Sequence, residues 1–228
     1  MTEDAVTIAD QIFAEIRQEI VEGRIPQGSK ISEPELARRY GISRGPLREA
    51  MRRLESSNLV SRRANVGARV ITLSSEQLLE IYHVREALEG MAARLAAERM
   101  PGAEVKELQS LLAEHRRQVE LEQGRAYFQR EGDLDFHYRI VRGSHNLRLV
   151  SLLCNALYHL VRMYRCQFGM VSPRARRAFR EHAQIVDAIA DRDGELSEIL
   201  MRRHIRASRR SVEQRLEGEV PVKVPNTH

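Results

Sequence analysis

The chain has 228 residues, enough for two domains with separate cores, and its 42% hydrophobic and 30% charged residues describe a folded globular protein, not a disordered one. Aromatic residues make up only 5%, Trp is absent, and Leu, Ala, Arg and Glu dominate, a mixture that favours helices. The net charge of +5 admits an anionic partner without naming one.

The two cysteines, Cys154 and Cys166, fall too far apart along one predicted helix to bond, so no disulfide framework is expected. The opening MTEDAVTIADQIF carries acidic residues and no apolar signal region, and no apolar run approaches the ~18 residues of a membrane span. A cytoplasmic protein without a membrane partner is expected.

Residues 6–22 place Ile8, Ile12, Ile16 and Ile20 at i+4 steps, which predicts an amphipathic helix stopped by Gly23, Pro26 and Gly28. Ser32 and Glu35 match a capping box and open a short helix to Tyr40. Gly41-Ile42-Ser43 makes a tight turn, and a third helix runs to about Ser57. LVSRR and ARVITL then read as two strands around a turn that contains Gly67. Helix, helix, turn, helix and hairpin outline a winged helix-turn-helix, with Leu36, Ala37, Ile42, Leu47, Ala50, Met51 and Leu54 as its small core.

From Arg38 to Arg69 nine arginines stand against two acids, Glu49 and Glu55. Arg44, Arg48 and Arg52 step at i+4 along one face of the third helix, starting at its N-terminus. A helix entering a major groove presents its first turns to base edges, where Arg reads guanine through two hydrogen bonds. Arg62, Arg63 and Arg69 on the hairpin suit phosphates or the minor groove. A solvated basic face is the plainer alternative, but the turn, the wing and the local charge together point to double-stranded DNA.

The segment ISEPELARRYGISRGPLREAMRRLESSNLVSRRANVGARV resembles the DNA-binding domain of the GntR family of bacterial transcription regulators, over about residues 6–72. That resemblance implies DNA contacts by Ser43, Arg44, Gly45 and Arg48, with Arg52 further along the same face and Gly67 at the wing tip. It also implies a homodimer on a two-fold symmetric operator. The chain departs from some members at Pro34, where they carry an arginine.

From Ser74 onward the pattern is helix after helix, near 75–99, 102–123, 125–143, 146–169, 173–192 and 194–217, followed by a polar tail over 219–228. The expected architecture is mainly α: a winged domain over 1–73 and an all-helical domain over 74–218. Helix 146–169 is apolar on most sides and is expected to be central or to form the dimer.

Asp133 and His137 share a face at i, i+4 with Ile140 and Val141 continuing it. They could be metal ligands, an acid/base dyad or a hydrogen-bonded core pair. His182 lies in line with Ala178, Ile185, Val186 and Ile189, and His204 in the row Leu196, Leu200 and Ser208. His115 and His145 fall on polar or loop stretches, and His83 and His159 have partly apolar surroundings. Four polar groups buried without partners would each cost several kcal/mol, and one divalent cation would satisfy Asp133, His137, His182 and His204 together.

This half resembles the FCD domain, the ligand-sensing domain of the FadR branch of GntR regulators. Many of its members bind a metal through Asp-x-x-x-His and single histidines on the last two helices, the positions of Asp133, His137, His182 and His204. Zinc suits such a set, as do nickel, manganese and iron. The resemblance also implies that Arg85 faces a small carboxylate effector; a surface salt bridge with Glu86 or Glu89 is its alternative. Tyr82, Asn155, His159 and Arg162 are further candidates for the effector pocket. Similarity of YFQREGDLDFHYRI and LVRMYR to regulators of propionate genes suggests a tricarboxylate such as 2-methylcitrate or citrate. The expected protein is a repressor, not an enzyme. A regulator whose effector is the ion itself, and a metal-dependent hydrolase, are the rival readings.

Overall fold

Ile12, Ile16 and Ile20 are buried along one line, and that line makes Ile8–Val21 a helix (α1) with a core-facing side. Ile8, expected on the same line, is 55% exposed because it sits in the first turn, beyond the packed part of the helix. Thr7 and Asp10 close a capping box over the start of α1. The computed structural model describes residues 6–63, 67–121, 135–168 and 174–218.

The following elements are a two-residue strand Lys30–Ile31 (β1), helices Glu33–Tyr40 (α2) and Arg44–Ser56 (α3), and strands Val60–Arg63 (β2) and Gly67–Val70 (β3). The three strands form an antiparallel sheet in the order β1-β3-β2, with Ile31 opposite Ala68 and Val60 opposite Val70. The expected hairpin is therefore present, and β1 joins its free edge. Gly41 caps α2 at φ 64°, a left-handed conformation that suits glycine and turns the chain into α3. Leu36, Leu47, Ala50, Met51 and Leu54 are buried as expected, whereas Ala37 and Ile42 are only half-buried.

Ser32 stands at the start of α2 but makes no capping bond, contrary to the Ser32–Glu35 box. Pro34 in the first turn removes one backbone N–H that the Ser32 hydroxyl would accept from. The second serine box is at Ser74 and Gln77, where the next long helix begins.

The later helices are Ser75–Arg99 (α4), Gly102–Leu121 (α5), Phe136–Gly143 (α6), Leu147–Val150 (α7), Tyr158–Phe168 (α8), Arg174–Ala190 (α9) and Gly194–Gly218 (α10), with π-helical Ser151–Leu157 joining α7 to α8. None of the described helices is long and apolar enough to cross a membrane. The chain divides into two compact units. The first holds the described part of Met1–Thr72 and of Cys154–Gly169; the second holds that of Leu73–Leu153 and Met170–His228. The sequence division near residue 73 left 154–169 with the second half. In the structure α8 packs on α1, with Leu160, Val161, Met163 and Tyr164 buried.

In the second unit α4 lies along α10 and also touches α6 and α9, while α5 packs on α9 and α6. Gly90 lets α10 come close to α4: a Cβ there would meet Arg202 Cγ at 2.5 Å. Ion pairs Arg94–Glu198 and Arg206–Glu86, each 2.6 Å, flank that approach. The core line of α10 is Ser197, Met201, His204, Ile205 and Val212. Leu196, expected in the His204 row, is 44% exposed, because the helix turns that row outward toward its N-terminus.

His159 in α8 is buried, and burial together with nearby Arg17 and Arg162 holds its imidazole down to about 3, from an ordinary 6.5. An unfolded chain takes up this proton near 6.5 and the folded unit does not. Its contribution is therefore complete above that pH and declines as pH falls toward 3. Comparison of wild type with His159→Gln by denaturant unfolding at several pH values should show the wild type losing more stability in acid. The difference should approach about 1.4 kcal/mol per pH unit at most.

Candidate functional site

Two places in the molecule collect chemistry-bearing residues. In the first unit, Ser43, Arg44, Gly45, Arg48 and Arg52 all lie exposed at the start and along one face of α3. Pro46 occupies the third helical position and has no N–H to give, and the Ser43 hydroxyl makes no capping bond. Arg44 and Arg48 line one groove with Lys30, Arg62 and Gly67. Neither Arg44 nor Arg48 forms an ion pair with a described residue.

Three other cations of this face are engaged. Arg52 pairs with Glu49 at 3.1 Å. Arg62 reaches Glu33 at 2.7 Å and Glu55 at 2.8 Å, and so ties β2 to α2 and α3. Arg69 donates to the Gly28 carbonyl at 2.9 Å. Gly67 opens β3 at φ 88°, a conformation that suits glycine, beside residues 64–66, which lie outside the described set.

In the second unit His137, His182 and His204 come together from α6, α9 and α10. All three are buried, and each offers a ligand atom within 4.8 Å of the others. His182 Nε2 and His204 Nε2 are 3.2 Å apart. Phe136 stacks on the His182 ring, centroid to centroid 3.9 Å, and holds it from one side. Burial keeps His204 neutral to about 3, below its ordinary 6.5, even though Glu181 beside it favours the proton. Three imidazoles in this arrangement could hold a metal ion.

Asp133 lies outside the described residues. The helix expected over 125–143 is described only from Phe136: Asp135 is extended at φ −100°, ψ 126° and serves as the N-cap. Its carboxylate accepts from the His137 and Tyr138 backbone N–H groups at 2.9 and 3.3 Å, so the chain begins a helix there instead of running through one. His137 consequently sits in the first turn of α6.

Arg85 is buried on α4, with its Nε donating to Glu89 Oε1 at 2.6 Å, so this ion pair lies in the interior and not on the surface. Glu86, the other proposed partner, binds Arg206 instead. Burial works against both charges. It would lower the Arg85 value, but Glu89 and Tyr82 outweigh it and raise it. It would likewise raise Glu89, but Arg85 and His137 hold that carboxyl down to about 2. Glu89 Oε2 lies 2.7 Å from His137 Nδ1.

On the other side Glu181 Oε2 lies 2.7 Å from His204 Nδ1 and accepts from Arg174 Nη1 at 2.7 Å. Burial opposes the Glu181 charge, yet His204 and Arg174 hold the group below the usual carboxylate range. Arg174 also donates to the Ser208 hydroxyl at 2.8 Å. Glu89, Glu181, Arg174 and Phe136 were not expected at this centre. Only the i, i+4 spacing of Arg85 and Glu89 gave a sign of them. Tyr82 is buried under the Arg85 guanidinium, 5.0 Å from ring centroid to Cζ. Asn155, which is exposed, and Arg162 group with the first unit, whereas Arg85 and the three histidines lie in the second. His115, expected on a polar stretch, is buried on α5.

Phe136 is among the largest fully buried side chains and backs His182. Phe136→Ala should lower the unfolding free energy by about 3–5 kcal/mol in chemical denaturation. A loss under 1 kcal/mol would show that the stack is not part of the core.

Comparison with known proteins agrees with both halves. Residues 8–70 match the gntR family of bacterial regulatory proteins and residues 80–207 match the FCD domain. The chain is 34% identical over 203 residues to a probable D-xylose utilization operon transcriptional repressor of Paenarthrobacter nicotinovorans, covering 88% of this chain and 87% of that protein. It is 29% identical to the HTH-type transcriptional repressor RspR of Escherichia coli K12, covering 91% and 90% of the two chains. Among solved structures, E. coli McbR/YncC superposes with a TM-score of 0.69 at 21% identity, covering 92% of this chain and 99% of that one, and shares its fold. The chain belongs to the GntR family of bacterial regulatory proteins and carries an FCD domain, and it is a DNA-binding transcriptional regulator, not an enzyme.

Proposed function

We propose that the protein is a homodimeric repressor whose FCD domain holds one divalent ion and takes a small carboxylate as effector. The observation that carries this reading is the convergence of His137, His182 and His204, three buried imidazoles from three helices with ligand atoms within 4.8 Å. A nitrogen-rich set of this kind suits zinc best, with nickel, manganese and iron as other occupants. Asp133 is the candidate fourth ligand. A divalent ion held by neutral imidazoles supplies net positive charge for an oxyanion. Arg85 adds a second buried cation in the same domain. The relatives' names, which include two repressors, support negative control.

On the DNA side the reading residues are Arg44 and Arg48, the exposed arginines at the start of α3 that no described acid neutralises. Ser43 and Gly45 lie beside them, and a Cβ at Gly45 would meet nothing within 4 Å, which leaves room for the DNA backbone to approach. Gly67 brings the wing to the same groove, and Arg52 sits further along α3, shared with Glu49.

Metal analysis of the purified chain should find about one divalent ion per protomer, and His137→Ala, His182→Ala and His204→Ala should each abolish its retention through dialysis. A stabilising effector at a hundredfold excess over its Kd should add about 2.7 kcal/mol to stability. Citrate and 2-methylcitrate are the first acids to titrate, with thermal unfolding and operator binding as readouts. Response of the loaded protein to the ion alone, with no acid required, would replace the carboxylate reading by metal sensing.

For DNA, Arg48→Ala should weaken binding to an operator selected from random duplexes by about 1–3 kcal/mol in fluorescence anisotropy. Arg52→Ala should cost less. Equal losses on operator and on unrelated DNA would reduce Arg48 to a phosphate contact.

A further inference from the structure

Two chains of side chains with the same chemistry reach the histidine cluster, one at His137 and one at His204. In one, Arg85 on α4 donates to Glu89 at 2.6 Å, and the other oxygen of Glu89 lies 2.7 Å from His137 Nδ1 on α6. In the second, Arg174 on α9 donates to Glu181 at 2.7 Å, and the same carboxylate lies 2.7 Å from His204 Nδ1 on α10. The first chain is almost wholly buried, with side-chain exposures of 7% for Arg85 and 5% for Glu89. Glu181 is more open, at 18%.

We infer that Glu89 and Glu181 are positioning residues that hold His137 and His204 as Nδ1–H tautomers and turn their Nε2 lone pairs toward a shared cation, with Arg85 and Arg174 balancing the carboxylate charges. This rests on the metal reading above. A carboxylate can only accept, so a 2.7 Å contact at Nδ1 places the ring proton there, and at His204 this contact outweighs the longer 3.4 Å approach of Arg174 Nη2 to the same atom. The remaining nitrogen, Nε2, then carries the lone pair a metal needs. For His204 that nitrogen already faces His182 Nε2 at 3.2 Å. Carboxylates behind ligand histidines fix ring orientation and raise ligand basicity. An ordinary interior salt bridge would not need a further contact to a ligand imidazole, and here both glutamates make one, Glu89 through the oxygen that Arg85 leaves and Glu181 through the oxygen that also meets Arg174.

The bridges also join different helices. Glu89 ties α4 to α6, and Glu181 ties α9 to α10. Orientation of the ligands therefore depends on four helices, although the ligands come from three.

The test uses the full chain, stripped with a chelator and reloaded with Zn²⁺ in competition with a chromophoric chelator. Glu89→Gln and Glu181→Gln lose the charge and offer an amide that can donate as well as accept, so the Nδ1–H form is no longer imposed. Glu86→Gln is the control, because Glu86 lies on the same helix and pairs with Arg206 and not with a histidine. Each of the first two should weaken Zn²⁺ binding by about 10–100-fold, while the control leaves it unchanged. Long-range ¹H–¹⁵N spectra of the metal-free wild type should show His137 and His204 protonated at Nδ1, and each variant should lose that preference at its own histidine alone. Circular dichroism checks folding; if Glu89→Gln does not fold, the more exposed Glu181→Gln decides. Wild-type Zn²⁺ affinity in both variants, or unchanged tautomers, would overturn the inference while leaving the metal site in place. A wild-type chain that binds no divalent ion would sink the metal reading and this inference together.

Discussion

The second unit is organised by one constraint: three imidazoles are buried against one another, and none can be left without polar partners at that depth. A lone buried imidazole can be satisfied by one nearby carbonyl. Three in contact require an ordered set of acceptors, and the fold draws them from two further positions, Glu89 and Glu181. Those carboxylates are themselves charges in a low-dielectric interior, and each brings an arginine with it. The polar centre thus extends from three side chains to seven through successive requirements for partners. Helices α4, α6, α9 and α10 are held in relation by this chain of needs as well as by apolar packing.

The first unit solves the opposite problem, the placement of many like charges at the surface. Its arginines divide by whether an acid is within reach. Arg62 is held by Glu33 and Glu55, Arg52 by Glu49, and Arg53 by Asp10 and the face of Phe13. These pairs stiffen the wing and the helix contacts and reduce the net field. Arg44 and Arg48 remain at the first turns of α3 with no described acid to neutralise them. A helix meeting a groove presents those turns first. The acids are therefore part of the reading surface, since they decide which cations are available to it.

Much of this could be read from residue order. The isoleucine spacing, Gly41 and the two short strands outlined the winged unit, and α4, α9 and α10 followed from periodicity, whereas the helix expected over 146–169 is broken into α7, a π-helical turn and α8. What was missed depends on contacts distant in sequence. Strand β1 is two residues long and exists only because β3 offers an edge. Glu89 meets His137 from 48 positions away and Glu181 meets His204 from 23, so no local pattern announces either pair. The spacing of Arg85 and Glu89 was visible, but spacing does not distinguish a solvated pair from a buried one. The start of α6 was misplaced for a related reason. The expected helix over 125–143 runs through Asp135, yet this short side chain accepts from the backbone ahead of it and begins the helix instead.

Glu89 serves two masters, and this has a consequence for how an acid could act on the site. One of its oxygens neutralises Arg85 and the other faces His137. An anion that engaged the Arg85 guanidinium would have to share it with Glu89, and any movement of that carboxylate alters what His137 Nδ1 meets. Occupancy at Arg85 and ligand orientation at His137 are therefore linked through a single side chain. Such linkage is reciprocal: a cation held by His137 would steady Glu89, and through it the arginine that an acid would meet. On the proposed reading, a metal and an acid would not have to touch for each to change the affinity of the other, because the Glu89 carboxylate joins the two side chains that would hold them.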